Sequence, residues 1–206
     1  MKNFYNQPNR NSVSKPKRIY ESIKEEDFLL LLKSTTKMRV KVILLLAYGS
    51  GLRLSEIINL QKTDIDVDSR NIFVRQGKGS KDRITILAKQ FKKSYLEFIP
   101  INLTKMGVQI MFQKLLLKHN FNEVIGTYKT KTGKTKNLYK YRFHSLRHSF
   151  GTNLVMNGVP INVVQSLMGH SNISTTSRYT QLNAKDAIAI ALGSRAAGSS
   201  TDSPSH

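Results

Sequence analysis

The sequence predicts a mainly α, α+β domain: a helical bundle carrying a small antiparallel β-sheet or hairpin. Three observations lead there. Met38 to Tyr48 is almost wholly apolar over a helical length, as expected of a helix central to a core. Leu146, Phe150 and Leu154 recur every four residues, which puts an apolar stripe on another helix. Asn71 to Arg75 and Arg83 to Leu87 are rich in Ile, Val, Phe and Thr and flank Gly77-Lys78-Gly79, the pattern of two strands and a turn.

Taken in order, residues 1–18 are polar and carry Lys2, Arg10, Lys15, Lys17 and Arg18 without an acid. They read as a flexible tail or as a basic arm that orders on DNA. Ser22-Ile23-Lys24-Glu25 fits a capping box ahead of an apolar face made by Phe28, Leu29, Leu31 and Leu32. Gly49 and Gly51 break the apolar helix, so that Arg53 can leave the core; Leu54 to Leu60 resumes a short helix. Asp64-Ile-Asp-Val-Asp68 alternates acids as a calcium loop does, but lacks that motif's glycine and distal glutamate, and reads as a solvated turn. Lys89 to Ile99 and Thr104 to His119 look helical.

Thr127 to Arg142 interleaves Lys129, Lys131, Lys134, Lys136, Lys140 and Arg142 with Tyr128, Tyr139 and Tyr141. Thr132-Gly133 suggests a turn between two strand-like arms, a basic ribbon able to embrace DNA. The stripe helix that follows ends at Asn157-Gly158, and Pro160 suits the first turn of the next. Gly169 stops that helix and leaves His170 beyond its end. A further helix carries Tyr179, and Leu182 to Leu192 forms a short apolar-faced helix before a Gly/Ser/Ala-rich tail, 193–206.

The chain has 206 residues, enough for one domain with tails. Lys and Arg number 33 against 13 acids, a net charge of +20, which points to a polyanionic partner. Cysteine is absent, which excludes a disulfide scaffold, a thiolate nucleophile and a cysteine metal site. No apolar run reaches the roughly 18–20 residues of a transmembrane helix, and the N-terminus lacks a signal-peptide core. The expectation is a cytoplasmic, DNA-associated protein without a membrane partner.

The stretch from His144 to Tyr179 holds His144, Arg147, His148, His170, Arg178 and Tyr179 and no Asp or Glu. A pocket drawn from it is cationic, rich in donors, and has no carboxylates to hold a metal. His144 and Arg147 share one side of a first helical turn, where the arginine can offer a planar fork to two phosphate oxygens. Such a site suits a phosphodiester attacked by a covalent nucleophile and stabilised by fixed charge. A tyrosine pKa of about 10 means that adjacent guanidiniums must favour the phenolate.

With Gly51-Leu52-Arg53-Leu54-Ser55-Glu56 and Gly77-Lys78-Gly79-Ser80-Lys81-Asp82-Arg83 in view, the chain resembles the tyrosine recombinase (phage integrase) family. The matching boxes are G-L-R-x-S-E, G-K-G-x-K-x-R, H-x-L-R-H at His144 to His148, L-x-G-H-S at Leu167 to Ser171 and T-T-x-x-Y at Thr175 to Tyr179, in the family's order. The resemblance covers residues 19–192. It implies a catalytic domain without cofactor or metal, in which Arg53 and Arg147 clamp the phosphate and Tyr179 attacks it. Lys78 then protonates the 5′ oxygen, His144 assists proton transfer and His170 hydrogen-bonds the phosphate. Expected DNA contacts are Lys81, Arg83, Lys129, Lys131, Lys134, Lys136, Lys140, Arg142, His148 and Arg178. The implied function is site-specific recombination or integration on double-stranded DNA by a homo-oligomer. The alternatives are type IB topoisomerase-like relaxation and a non-catalytic DNA-binding protein of the same fold. The family usually carries a separate N-terminal DNA-clamping domain. Here only the basic arm precedes the first predicted helix, so the arm and the lysine-rich ribbon compensate, DNA grip is weak, or a second protein supplies it.

Overall fold

The computed structural model describes residues 21–75, 82–130 and 132–169. In chain order these form α1 (Glu25–Ser34), α2 (Met38–Tyr48), α3 (Leu54–Asn59), β1 (Ile65–Asp66), β2 (Asn71–Val74), β3 (Arg83–Ile86), α4 (Lys105–Lys118), β4 (Val124–Lys129), β5 (Thr135–Tyr139), α5 (Phe143–Met156) and α6 (Ile161–Met168). Short 3₁₀ segments at Lys62–Asp64 and Lys93–Phe98 fill two connections.

The apolar α2 is the axis of the bundle. Val42 to Ala47 are all but fully buried, so its hydrophobicity all round matches burial all round. It packs against α5, whose Leu146 lies in the same core. Phe28 of α1 stacks on Tyr48 at a centroid distance of 3.7 Å, and Asn153 of α5 donates to the Tyr48 hydroxyl at 3.0 Å. A second, smaller cluster joins Ile86 of β3, Phe150 and Leu154 of α5, and Val163, Val164, Leu167 and Met168 of α6. This cluster seats α6 against the sheet and leaves a seam between the two cores.

The break after α2 is sharp. Gly51 has φ +66, and a Cβ there would lie 2.2 Å from Cδ1 of Phe150. Only glycine accepts both the left-handed backbone and that approach. β1, β2 and β3 form an antiparallel sheet with Ile72 opposite Thr85 and Val74 opposite Arg83; Ile72 and Val74 face the core. The basic ribbon is β4 paired with β5, with a register shift between Val124 and Gly126. Its base is tied to α4: Asn122 Nδ2 donates to Gln113 and to the Tyr141 carbonyl, and Tyr141 N–H donates to Asn122.

Several local expectations are revised. Lys24, not Ser22, precedes the first turn of α1, and the Ser22 hydroxyl pairs with Thr152 at 2.9 Å. Asp64 is buried, receiving the Gln61 N–H at 2.9 Å and pairing with Arg75 at 2.9 Å; Asp66 and Asp68 are exposed as expected, Asp66 at the end of β1 accepting from the N–H groups of Asp68 and Ser69, and Asp68 within the turn that follows. The region from Lys89 to Ile99 holds a 3₁₀ segment rather than an α-helix. Pro160 stands just outside α6 instead of in its first turn. No helix among the described residues is long and apolar enough to cross a membrane.

Candidate active site

Three arginines from three distant boxes meet on one carboxylate in the seam. Glu56 lies in the first turn of α3 and its side chain is 9% exposed. It accepts the Arg53 backbone N–H at 2.7 Å, which caps the helix, and the Arg53 Nη1 at 2.8 Å. Arg83, at the start of β3, grips it with a fork: Nη1 to Oε1 at 2.8 Å and Nη2 to Oε2 at 2.9 Å. Arg147 of α5 approaches the same Oε2 to 3.8 Å.

The end of α6 forms the other side. A helix leaves its last carbonyls without intrahelical partners and gathers partial negative charge there. Here three consecutive carbonyls each take one arginine. Leu167 accepts from Arg83 Nε at 2.8 Å, Met168 from Arg147 Nη2, and Gly169 from Arg53 Nη2 at 2.7 Å. Gly169, at φ 65 and ψ 52, turns the chain out of the helix, as the sequence predicts. Arg147 also donates through Nη1 to the carbonyl of Gly51, the residue that breaks α2.

These contacts order the electrostatics. Burial alone would raise the Glu56 carboxyl, but hydrogen bonds and charge from Arg83, and then the N–H and guanidinium of Arg53, outweigh it and hold the carboxyl below its ordinary range. Arg147 is 2% exposed. Burial pushes its guanidinium down to about 9, the charges of Arg53 and Arg83 add to that effect, and Glu56 opposes it. It remains a cation at neutral pH. Arg53, with a side chain 35% exposed, is the most open to solvent of the three arginines.

A cavity of about 100 Å³ opens beside the cluster, lined by Leu52, Arg53, Leu54, Gln109, Phe143, His144 and Arg147. Arg53, His144 and Arg147 are thus brought together. His144 is exposed in the first turn of α5, and His148, also exposed, follows one turn later. Lys78, His170 and Tyr179, and the DNA contacts expected of Lys81, Lys131 and Arg178, lie outside the described residues, as do the basic arm and the C-terminal helix and tail.

Lys129, Lys134 and Lys136 are exposed on the ribbon. Lys140 is already paired, at 2.8 Å with Glu123 and 3.6 Å with Glu21, both acids outside the stretch from Thr127 to Arg142. Arg142 stands just before α5, where its N–H donates to Ser145 Oγ at 3.2 Å. Arg83 departs furthest from expectation: its side chain is 7% exposed and its fork is turned inward. Neither Glu56 nor Gln109 is among the site residues that the sequence predicts. The signal for Glu56 was its place three residues after Arg53 at a helix start, where an acid returns to cap the N–H. Nothing in the sequence marks Gln109, which α4 brings to the cavity.

A model of the phage integrase family matches residues 16–186. The chain is similar to tyrosine recombinase XerA of Thermococcus kodakarensis, 34% identical over 169 residues, covering 81% of this chain and 60% of the relative. It is similar to tyrosine recombinase XerC of Staphylococcus haemolyticus, 35% identical over 179 residues, covering 82% and 58%. The chain therefore spans about three fifths of the length of these relatives. The fold matches that of an integrase from mycobacterium phage Brujita, with TM-score 0.62, 24% identity and coverage of 89% of this chain and 62% of the other. It also matches a XerA recombinase crystal structure, with TM-score 0.57, 24% identity and coverage of 82% and 60%.

Proposed function

The chain belongs to the phage integrase family, and on that premise we propose that it is a site-specific DNA recombinase or integrase working through a 3′-phosphotyrosine intermediate. The observation that carries this reading is the convergence of Arg53, Arg83 and Arg147 on Glu56 beside His144 and the cavity. Like charges are gathered at this density where an anion is to be held, and Glu56 offsets part of their mutual repulsion while fixing their directions.

In this mechanism Arg53 and Arg147 hold the non-bridging oxygens of the scissile phosphate and stabilise the charge that develops on them. The Tyr179 oxygen attacks phosphorus as its phenol proton is withdrawn, with His144 assisting and His170 hydrogen-bonding the phosphate. The bond from phosphorus to the 5′ oxygen breaks, and Lys78 gives that oxygen a proton. A 3′-phosphotyrosine and a free 5′-hydroxyl result. The new ester retains the energy of the old one, so a 5′-hydroxyl of another strand reverses the step without ATP or other cofactor. Double-stranded DNA is the substrate, met by the exposed lysines of the ribbon, and exchange between duplexes calls for several copies of the chain. Residues 19–192 form the catalytic unit, residues 1–18 a basic arm and residues 193–206 a tail, and the protein acts in the cytoplasm on DNA.

The test is covalent trapping on a nicked duplex library of random sequence. Wild type forms an adduct; Tyr179→Phe forms none but still binds the duplex. An adduct with the Phe variant assigns the nucleophile elsewhere, and no adduct with wild type overturns the reading. Exchange of flanking sequence between two trapped duplexes marks recombination, whereas relaxation of supercoiled plasmid alone marks a topoisomerase.

A further inference from the structure

We propose that Gln109 is a further contact to the scissile phosphate, its side-chain amide donating a hydrogen bond to one non-bridging oxygen; the inference deepens the recombinase reading above and rests on it. The cavity beside the arginine cluster is lined by Gln109 of α4 together with Arg53, His144 and Arg147. An anion seated against the two guanidiniums there is within the surroundings of the amide as well.

The helix holds Gln109 at this place. Val108, Phe112 and Leu116, spaced by four, are fully buried, and Phe112 meets Phe143 edge to face at a centroid distance of 5.7 Å. These contacts fix the rotation of α4. Gln109 stands one residue, about 100°, round the helix from Val108, and is exposed where the cavity opens. Gln113, one turn later, makes the contrast. Its Nε2 donates to the Tyr141 carbonyl at 2.9 Å and its Oε1 accepts from Asn122 at 2.9 Å, so both ends of that amide serve the fold. Among the described residues the Gln109 amide has no hydrogen-bond partner.

An amide suits the position chemically. Burial, and then the charge of Arg53, already pull the Arg147 guanidinium down to about 9. A further cation would add to that repulsion, and a carboxylate would repel the phosphate. The Gln109 amide supplies N–H donors without charge. Leu52, Leu54 and Phe143 give the cavity apolar walls, and a hydrogen bond to a charged acceptor counts for more there than in water.

The experiment replaces the acceptor as well as the donor. The sequence cleaved by wild type, taken from the trapped library, is synthesised with an ordinary scissile phosphate and as its two phosphorothioate diastereomers. Sulfur keeps the negative charge but is a weak acceptor, and each diastereomer places it on a different non-bridging position. Full-length wild type, Gln109→Ala and Gln109→Met are assayed in single turnover, with thermal unfolding alongside. On the ordinary phosphate both variants are expected to lose about tenfold. On one diastereomer that loss shrinks to within about twofold of wild type, and on the other it stays near tenfold, the coupling expected of a direct donor–acceptor pair. A loss equal on all three substrates means that Gln109 acts elsewhere, on a base edge or through the fold, and overturns the proposal; so does full activity on the ordinary phosphate. If one variant unfolds, the other carries the test, and if neither folds the role is structural and the proposal falls. No cleavage by wild type defeats the recombinase reading itself, whereas cleavage by wild type with equally active Gln109 variants defeats this inference alone.

Discussion

Arg83 and Glu56 are 27 residues apart in sequence and meet through two parallel hydrogen bonds, Nη1 to Oε1 at 2.8 Å and Nη2 to Oε2 at 2.9 Å. The pair ties the start of β3 to the start of α3, with Arg53 and Arg147 on the same carboxylate. Breaking a buried pair from one side leaves the other charge uncompensated. Glu56→Ala is expected to lower folding stability by on the order of 3 kcal/mol, measured by urea unfolding at neutral pH. A loss within about 0.5 kcal/mol would show that the cluster does not hold the seam together.

The same carboxylate predicts an acid limb of stability. Its folded pKa lies below the ordinary value of 4.5 because the arginine hydrogen bonds and charges outweigh burial. In the window between the folded and unfolded values the unfolded chain binds more protons, so stability rises with pH there. The contribution of Glu56 is complete above about pH 4.5 and is lost as pH falls through the depressed folded value. Urea midpoints taken from pH 7 downward should drop more steeply for wild type than for Glu56→Gln; parallel curves would refute the assignment.

Arg53 and Arg147 should separate in their failures. Arg53 is partly solvent-exposed, so Arg53→Ala is expected to cost on the order of a hundredfold in DNA cleavage with little loss of stability. Arg147 fills a buried site and satisfies the Gly51 and Met168 carbonyls, so Arg147→Ala should lose both cleavage and melting temperature. Single-turnover cleavage and thermal unfolding of the two variants decide this. Equal stability losses would contradict the difference in burial.

Gly51→Ala puts a methyl group against the Phe150 ring at a left-handed backbone position. A loss of about 1–3 kcal/mol in stability is expected, with reduced cleavage because the carbonyl that receives Arg147 shifts. Wild-type unfolding by Gly51→Ala would mean that the Phe150 ring yields without cost.

The ribbon lysines predict salt dependence. Replacing Lys129, Lys134 and Lys136 together by Gln should weaken duplex binding and reduce the slope of log affinity against log salt by up to about 3. Lys140→Gln should change that slope little, because its ammonium already faces Glu123 and Glu21. Titrations at several salt concentrations with a fixed duplex check both, and an unchanged slope in the triple variant would remove the ribbon from the interface.

What the sequence made legible was periodic or conformational. The apolar α2, the stripe of α5, the two hairpins and the Gly169 stop are each written in neighbouring residues. What escaped was long-range pairing of charge. Arg83 reads as a surface cation until a carboxylate 27 positions earlier is folded against it. Asp64 reads as a solvated acid until Arg75 reaches it, and Lys140 reads as unpaired until Glu21 and Glu123 arrive. Ser22 fits a helix cap by spacing, yet its hydroxyl is taken by Thr152, 130 residues away. Local pattern cannot rank such partners, because the competition is settled only in three dimensions.

The row of arginines along the last turn of α6 carries a mechanical consequence. Each guanidinium nitrogen that serves Met168 or Gly169 is one that an incoming phosphate oxygen must win over or share. Anion binding by these arginines is thereby traded against their grip on the last carbonyls of α6 and its Gly169 cap. An anion that takes those donors acts on the end of α6 as well as on the arginines.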